Sequence, residues 1–250
     1  MEAIVDNQNK VLIFWNAKCG CSFVKSLFIQ SKGREPSDFE DIHTIIGYGY
    51  PGEEYSYVNP NDLTRYDSYK KVLVVRDPYK RLVSGFLEKI PKWIKSGKLE
   101  REKYSTFKDF IIEISKTGGR VISDNSSFVD EHHFIPQFSE KYKLVESANW
   151  KFDYVIDVTE LSKKIGLFES LFNHELNESL AYDWCRLHKV EYSNQMDLNA
   201  ANTSIDTWMN ATIFPSYKSF FADHETVDAF RNLYSNDLKK LKELGFEYSL

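Results

Sequence analysis

Two stretches of this chain run through the same succession of an apolar β-forming run, a tight turn and a helix. In the first, "KVLIFWN" at 10–16 precedes "AKCGCS" and "FVKSLFIQ", whose Phe23, Val24, Leu27 and Phe28 recur at helical spacing. In the second, "KVLVV" at 71–75 precedes "RDP" and "YKRLVSGFLEKI", with Pro78 suited to a first helical turn. Strands that alternate with helices predict an α/β fold, a central and mostly parallel sheet flanked by helices on both faces. Such sheets bind ligands beyond the carboxyl ends of their strands, which is where both turns fall.

Further helical spacing covers "TFKDFIIEIS" at 106–115, "ELSKKIGLFESLFN" at 160–173 and "ETVDAFRNLYSNDLKKLKEL" at 225–244, and "FDYVIDV" at 152–158 is another strand candidate. The Gly-, Pro- and Tyr-rich stretch 47–69 predicts a long surface connection, and the Asn- and Ser-rich stretch 192–215 predicts irregular chain. No repeat, low-complexity tract or linker divides the 250 residues, so a single domain over 1–250 is expected. A net charge of −5 argues against general nucleic-acid affinity, so any anion must meet a local cationic site. No apolar run approaches the roughly 20 residues that span a bilayer. The first residues are acidic where a signal peptide is basic, and Cys19, Cys21 and Cys185 form no disulfide framework. A soluble cytoplasmic protein is the expectation.

Cys19 and Cys21 are separated by Gly20 alone, which lacks the C-x-x-C spacing of a dithiol centre. The same turn suits an anion cradle. Gly20 permits close approach of backbone, Ser22 can cap or donate, the following helix offers free N–H groups, and Lys18 adds a full charge. A purely architectural corner, with half-buried cysteines and a solvated Lys18, is the alternative. Walker A spacing is absent, because the lysine precedes the lone glycine. A metal site would need His132 and His133 beside Cys19, which sequence cannot supply. In the second corner Arg76 follows the strand and Ser84 lies eight residues on, about two helical turns, so both could face one phosphate. Arg81 reads as a solvated charge or a partner for Asp77, and "RDPYKRLVS" reads equally as a capped helix start.

"IFWNAKCGCSFVKSLF" resembles the 5′-phosphosulfate segment of family 2 (carbohydrate-type) sulfotransferases, and "YKKVLVVRDPYKRLVSGF" is similar to their 3′-phosphate segment at nearly every position. "EHHFIPQF" contains an H-x-x-P-Q pattern in His133, Pro136 and Gln137. The C-terminal stretch from Tyr217 resembles the family's Y-x-x-F-[YF] and [LV]-Y-x-x-D pattern, and "KFDYVIDVTELSKKI" sits where the family has a core strand and an E-x-L turn. Departures are Ala17 in place of the usual proline, Val24 near a position often aromatic, and the absence of the membrane anchor and additional cysteines of many Golgi relatives.

The resemblance implies a P-loop-like sulfotransferase fold. It also implies transfer of a sulfuryl group from 3′-phosphoadenosine 5′-phosphosulfate (PAPS), leaving 3′,5′-adenosine bisphosphate (PAP), to a hydroxyl of a carbohydrate or glycoconjugate. Lys18, Cys19, Gly20, Cys21 and Ser22 would then hold the 5′-phosphosulfate, and Arg76 and Ser84 the 3′-phosphate. Lys18 would act in catalysis and no metal is needed. His133 is the leading base, with His132 and Glu131 as alternatives. A nucleotide-dependent phosphotransferase and a non-catalytic nucleotide-binding module are the competing functions. The lysines between Lys89 and Lys103 around Trp93 form either a solvated helix face or an attractor for an anionic acceptor.

Overall fold

The computed structural model describes residues 3–34, 58, 63–123, 127–130, 132–186 and 191–250, with backbone alone at 140, 141, 144 and 184–186. Most of the 47–69 connection, and Glu131, lie outside the described residues. The chain runs β1 (Ala3–Asp6), β2 (Val11–Phe14), α1 (Cys21–Ser31), β3 (Lys70–Val75), α2 (Pro78–Lys95), α3 (Phe107–Lys116), β4 (Val121–Ile122) and β5 (Phe128–Asp130). It continues through α4 (Glu140–Ser147), β6 (Tyr154–Asp157), α5 (Ile165–Phe172), α6 (Glu178–Arg186), β7 (Glu191–Tyr192), α7 (Ile205–Met209), β8 (Ile213–Phe214) and α8 (His224–Glu243). It forms two compact units, one of residues 1–76 and 139–189, the other of 77–138 and 190–250.

The first unit holds a four-stranded sheet in the order β1-β2-β3-β6. β2, β3 and β6 run parallel, with Val11 opposite Lys70 and Val72 opposite Tyr154, while β1 pairs antiparallel to β2. A strand covered on both faces must be apolar throughout, which is why β2 reads VLIF and every one of its residues is buried. Alternate side chains face opposite ways. Ile4, Val11, Ile13, Val72, Val74 and Ile156 pack with Phe23, Val24 and Leu27 of α1 and with Phe168 and Phe172 of α5. Phe14, the next in register, meets Phe152 edge-on at 5.7 Å. The 160–173 helix of the sequence is observed as two short 3₁₀ turns followed by α5, which ends on Asn173 in the left-handed conformation.

The second unit is built on aromatic packing. Phe86 of α2, Phe107 and Phe110 of α3, and Phe230 and Tyr234 of α8 are all essentially inaccessible to solvent, as are Phe134 and Phe220. Tyr79 stacks on Phe230 at 4.0 Å, and Phe110 meets Phe134 edge-on at 4.8 Å. Asp77 caps α2 by accepting from the amides of Tyr79 and Lys80, and Thr106 caps α3. The 192–215 stretch is more ordered than its composition suggests: Ala200, Ala201, Ile205, Trp208 and Phe214 enter the core through α7, β8 and a 3₁₀ turn. Among the described residues no helix is long and apolar enough to cross a membrane.

Candidate functional site

The carboxyl ends of the parallel strands β2, β3 and β6 share one edge of the sheet, and each leads into a turn. After β2 the chain closes on itself, with the Cys19 amide donating to the Asn16 carbonyl at 3.0 Å. The closure forces two left-handed residues into the turn, Lys18 at φ 69° and Gly20 at φ 72°. Glycine takes that conformation readily, whereas a lysine there is uncommon and is held by its surroundings. The holding contact is Arg76 at the end of β3, whose Nη1 donates to the Lys18 carbonyl at 2.8 Å. The two cationic corners read from sequence are thus brought together.

Gly20 also answers to a spatial demand. A Cβ there would lie 2.5 Å from Cδ1 of Leu161 and 3.0 Å from Cγ2 of Val158, in the turn after β6. That turn is fixed by Asp157, which accepts from the Thr159 amide at 2.7 Å and hydroxyl at 2.6 Å. Gly20 is the N-cap of α1 and provides no side-chain acceptor, so the first amides of that helix rely on other partners, as an anion would supply. Cys19 is fully buried and Cys21 half-buried. The left-handed Lys18, the backbone of 19–22 and the guanidinium of Arg76 make a donor set that suits a phosphosulfate or phosphate.

Ser84 and His133 belong to the second unit, Ser84 on the inner side of α2 at 5% exposure. His133 follows β5 and is framed by Asp130. The carboxylate accepts from the backbone amides of His132 at 2.9 Å and His133 at 2.7 Å, and its Oδ2 lies 2.5 Å from Nδ1 of the His133 ring. Burial pushes the Asp130 carboxyl up, but the ring hydrogen bond and charge of His133 and the two amides outweigh it and hold it below its ordinary value. Trp93 of α2 stands edge-on to the imidazole at 6.2 Å. Asp130 had no place among the sequence candidates, although an Asp two and three residues before turn amides is a familiar local cap.

Arg81 requires a correction. It is 1% exposed, not a solvated charge, and it donates to the carbonyls of Ile135 at 2.8 Å and His132 at 3.3 Å. The other side of the same segment is held by α8: the Asp237 carboxylate accepts from the amides of Gln137 at 2.7 Å and Phe138 at 2.8 Å. Tyr234 donates its hydroxyl to the Phe134 carbonyl, and Asn236 donates to that of Phe138 at 3.0 Å. Three stretches singled out in the sequence therefore interlock, with Arg81, Tyr234 and Asp237 fixing the backbone that carries His133. Full burial pushes the Asp237 carboxyl up to about 6, against the pull of those two amides and of Arg81.

A separate cavity of about 490 Å³ opens at the start of β3, at the other end of the strand from Arg76. Its polar groups engage one another: Lys70 pairs with Asp153 at 2.9 Å, Trp150 donates to Asp67 at 2.9 Å, and Lys71 donates to the Asp67 and Tyr69 carbonyls.

Comparison with known proteins gives two findings. Human carbohydrate sulfotransferase 9 is 31% identical over 86 residues, which cover 34% of this chain and 19% of that protein. The match thus spans about a fifth of the relative's length. No solved structure matches. The model of the sulfotransferase family matches residues 1–241, nearly the whole length and parts of both units. The chain belongs to the sulfotransferase family.

Proposed function

We propose that this protein transfers a sulfuryl group from PAPS to a hydroxyl of an acceptor, with a carbohydrate or glycoconjugate as the acceptor class and residues 1–250 acting as one sulfotransferase domain. The observation that carries the proposal is the contact of Arg76 with the Lys18 carbonyl, which joins two cationic turns at the ligand-binding edge of a parallel sheet. PAPS carries negative charge at both its 3′ and 5′ ends, so a protein of net charge −5 needs a concentrated cationic site for it.

In this assignment Lys18 and the amides from Cys19 to Ser22 bind the 5′-phosphosulfate, and Arg76 and Ser84 bind the 3′-phosphate. Ser84 takes its role from its place in the 3′-phosphate segment. Lys18 contributes most where charge grows, on the phosphate oxygen released as the acceptor oxygen bonds to sulfur. His133 removes the acceptor proton, its role resting on the H-x-x-P-Q position. The acceptor class rests on the likeness to a protein named as a carbohydrate sulfotransferase.

The test is calorimetric titration with PAP and with ATP, followed by transfer of labelled sulfate from PAPS to a panel of glycans. Tight PAP binding, weak ATP binding and labelled product are expected. Selective binding of ATP overturns the proposal.

A further inference from the structure

We infer that Asp130 is a positioning residue for the transfer proposed above, in which His133 is the base: it fixes the His133 ring in place and in the tautomer whose proton-accepting nitrogen is Nε2. Asp130 is the last residue of β5, and one carboxylate grips both the backbone and the ring of the same histidine. Its Oδ1 accepts from the His133 amide at 2.7 Å while Oδ2 lies 2.5 Å from Nδ1. A ring tied through its own main chain and its own Nδ1 loses the rotamer freedom that a surface histidine has. The Asp130 side chain is 9% exposed and that of His133 24%, so the contact is shielded while part of the ring reaches solvent.

The tautomer follows from the donor inventory. An ionised carboxylate only accepts, so Nδ1 carries the hydrogen and the lone pair lies on Nε2. The lowered Asp130 carboxyl is consistent with an ionised partner at neutral pH. In the transfer step the acceptor hydroxyl gives its proton to Nε2 as its oxygen bonds to sulfur. The bond from sulfur to the phosphate oxygen breaks, and that oxygen keeps the electron pair. The imidazolium so formed stands against the negative charge of Asp130, which takes up no proton itself.

Asp130 also holds a turn through two backbone amides, so the experiment separates that duty from control of the ring. Asp130→Asn keeps a carbonyl oxygen for the amides and offers an NH₂ group to Nδ1, which turns the ring to the opposite tautomer. Imidazole ¹⁵N spectra of wild type and variant, donor KM, kcat and PAP affinity are measured together. Wild type is expected to carry its hydrogen on Nδ1 and the variant on Nε2. In the variant kcat falls about 10²–10⁴-fold, while donor KM and PAP affinity stay within about threefold. Asp130→Glu, which restores an acceptor to Nδ1, recovers part of kcat.

A variant whose kcat stays within about threefold of wild type overturns the role, as does a wild-type ring with its hydrogen on Nε2. If Asp130→Asn does not fold, the wild-type spectrum decides. A wild-type protein that binds no PAP overturns the donor assignment and the role in transfer together. The spectrum still reports whether the Asp130–His133 pairing exists, so the two failures are distinguishable.

Discussion

Replacing Arg81 by Met keeps an unbranched stem inside the second unit and removes the guanidinium. Two carbonyls, of Ile135 and His132, then lose donors now at 2.8 and 3.3 Å; the arginine is 1% exposed, Ile135 half-buried and His132 exposed, so water replaces the lost donor more readily at His132 than at Ile135. An acceptor left unpaired out of reach of water costs about 1–3 kcal/mol, and one that water reaches costs less. The fully buried Asp237 also loses a positive charge that favours its ionised form. Removing one member of a buried charged cluster costs about 3–5 kcal/mol in comparable cases, and the apolar Met stem offsets about 1 kcal/mol of that. A net loss of about 3 kcal/mol is a large fraction of the 5–15 kcal/mol typical of a domain. Urea unfolding followed by circular dichroism and tryptophan fluorescence reads it as a lower midpoint with unchanged slope. Lys80→Met, one residue away, is the control; Lys80 is half-buried over the Tyr217 ring at 5.1 Å and should cost under about 1 kcal/mol. The difference between Arg81→Met and wild type should shrink as pH falls from 7 through about 6, where Asp237 takes up its proton and no longer carries a charge that needs Arg81. A variant within about 0.5 kcal/mol of wild type at pH 7 refutes the reasoning, since no buried network would then depend on this side chain.

Asp237 has a folded pKa of about 6 against an ordinary 3.8, so its contribution to stability is present below about pH 4 and is lost as pH rises through 6. The shift corresponds to roughly 3 kcal/mol, and stability relative to Asp237→Asn should fall by up to that amount between pH 4 and 6 and stay level above; a flat difference sinks the assignment. Gly20→Ala places a methyl against Leu161 and Val158 in left-handed backbone, so about 2–4 kcal/mol of stability and at least about tenfold in PAP affinity should be lost, read by urea unfolding and calorimetry. Lys18→Ala should lower kcat more than donor affinity. Arg76→Ala should weaken PAP binding and, through the lost Lys18 contact, lower kcat as well; steady-state kinetics on PAPS that show equal effects in both variants would contradict the roles.

The sheet of the first unit was legible because buried parallel strands are short apolar runs: β2 and β3 fall within a few residues of the stretches that announced them. β1 escaped notice because four apolar-to-acidic residues beside "DNQNK" have no periodicity to display, and only pairing to β2 makes Ala3–Asp6 a strand. The cationic corner was legible in residue type, but the left-handed Lys18 and its tether to Arg76 depend on chain 58 residues apart. Arg81 shows the opposite limit. A charged residue on an amphipathic helix defaults to solvent, and nothing local reveals carbonyls more than fifty residues away that need its hydrogens. The family-like patterns around Arg81, Pro136 and Tyr234 look from sequence like chemistry, yet in the structure Arg81, Tyr234 and Asp237 are spent on the main chain of 132–138. Holding the His133 ring to within a fraction of an ångström, as the proposed role as base demands, requires rigid backbone beneath it, and this segment lacks helix or sheet partners of its own over 132–138. Side chains from two helices supply the missing hydrogen bonds, so charged and phenolic groups are buried there because an irregular segment must be made stiff.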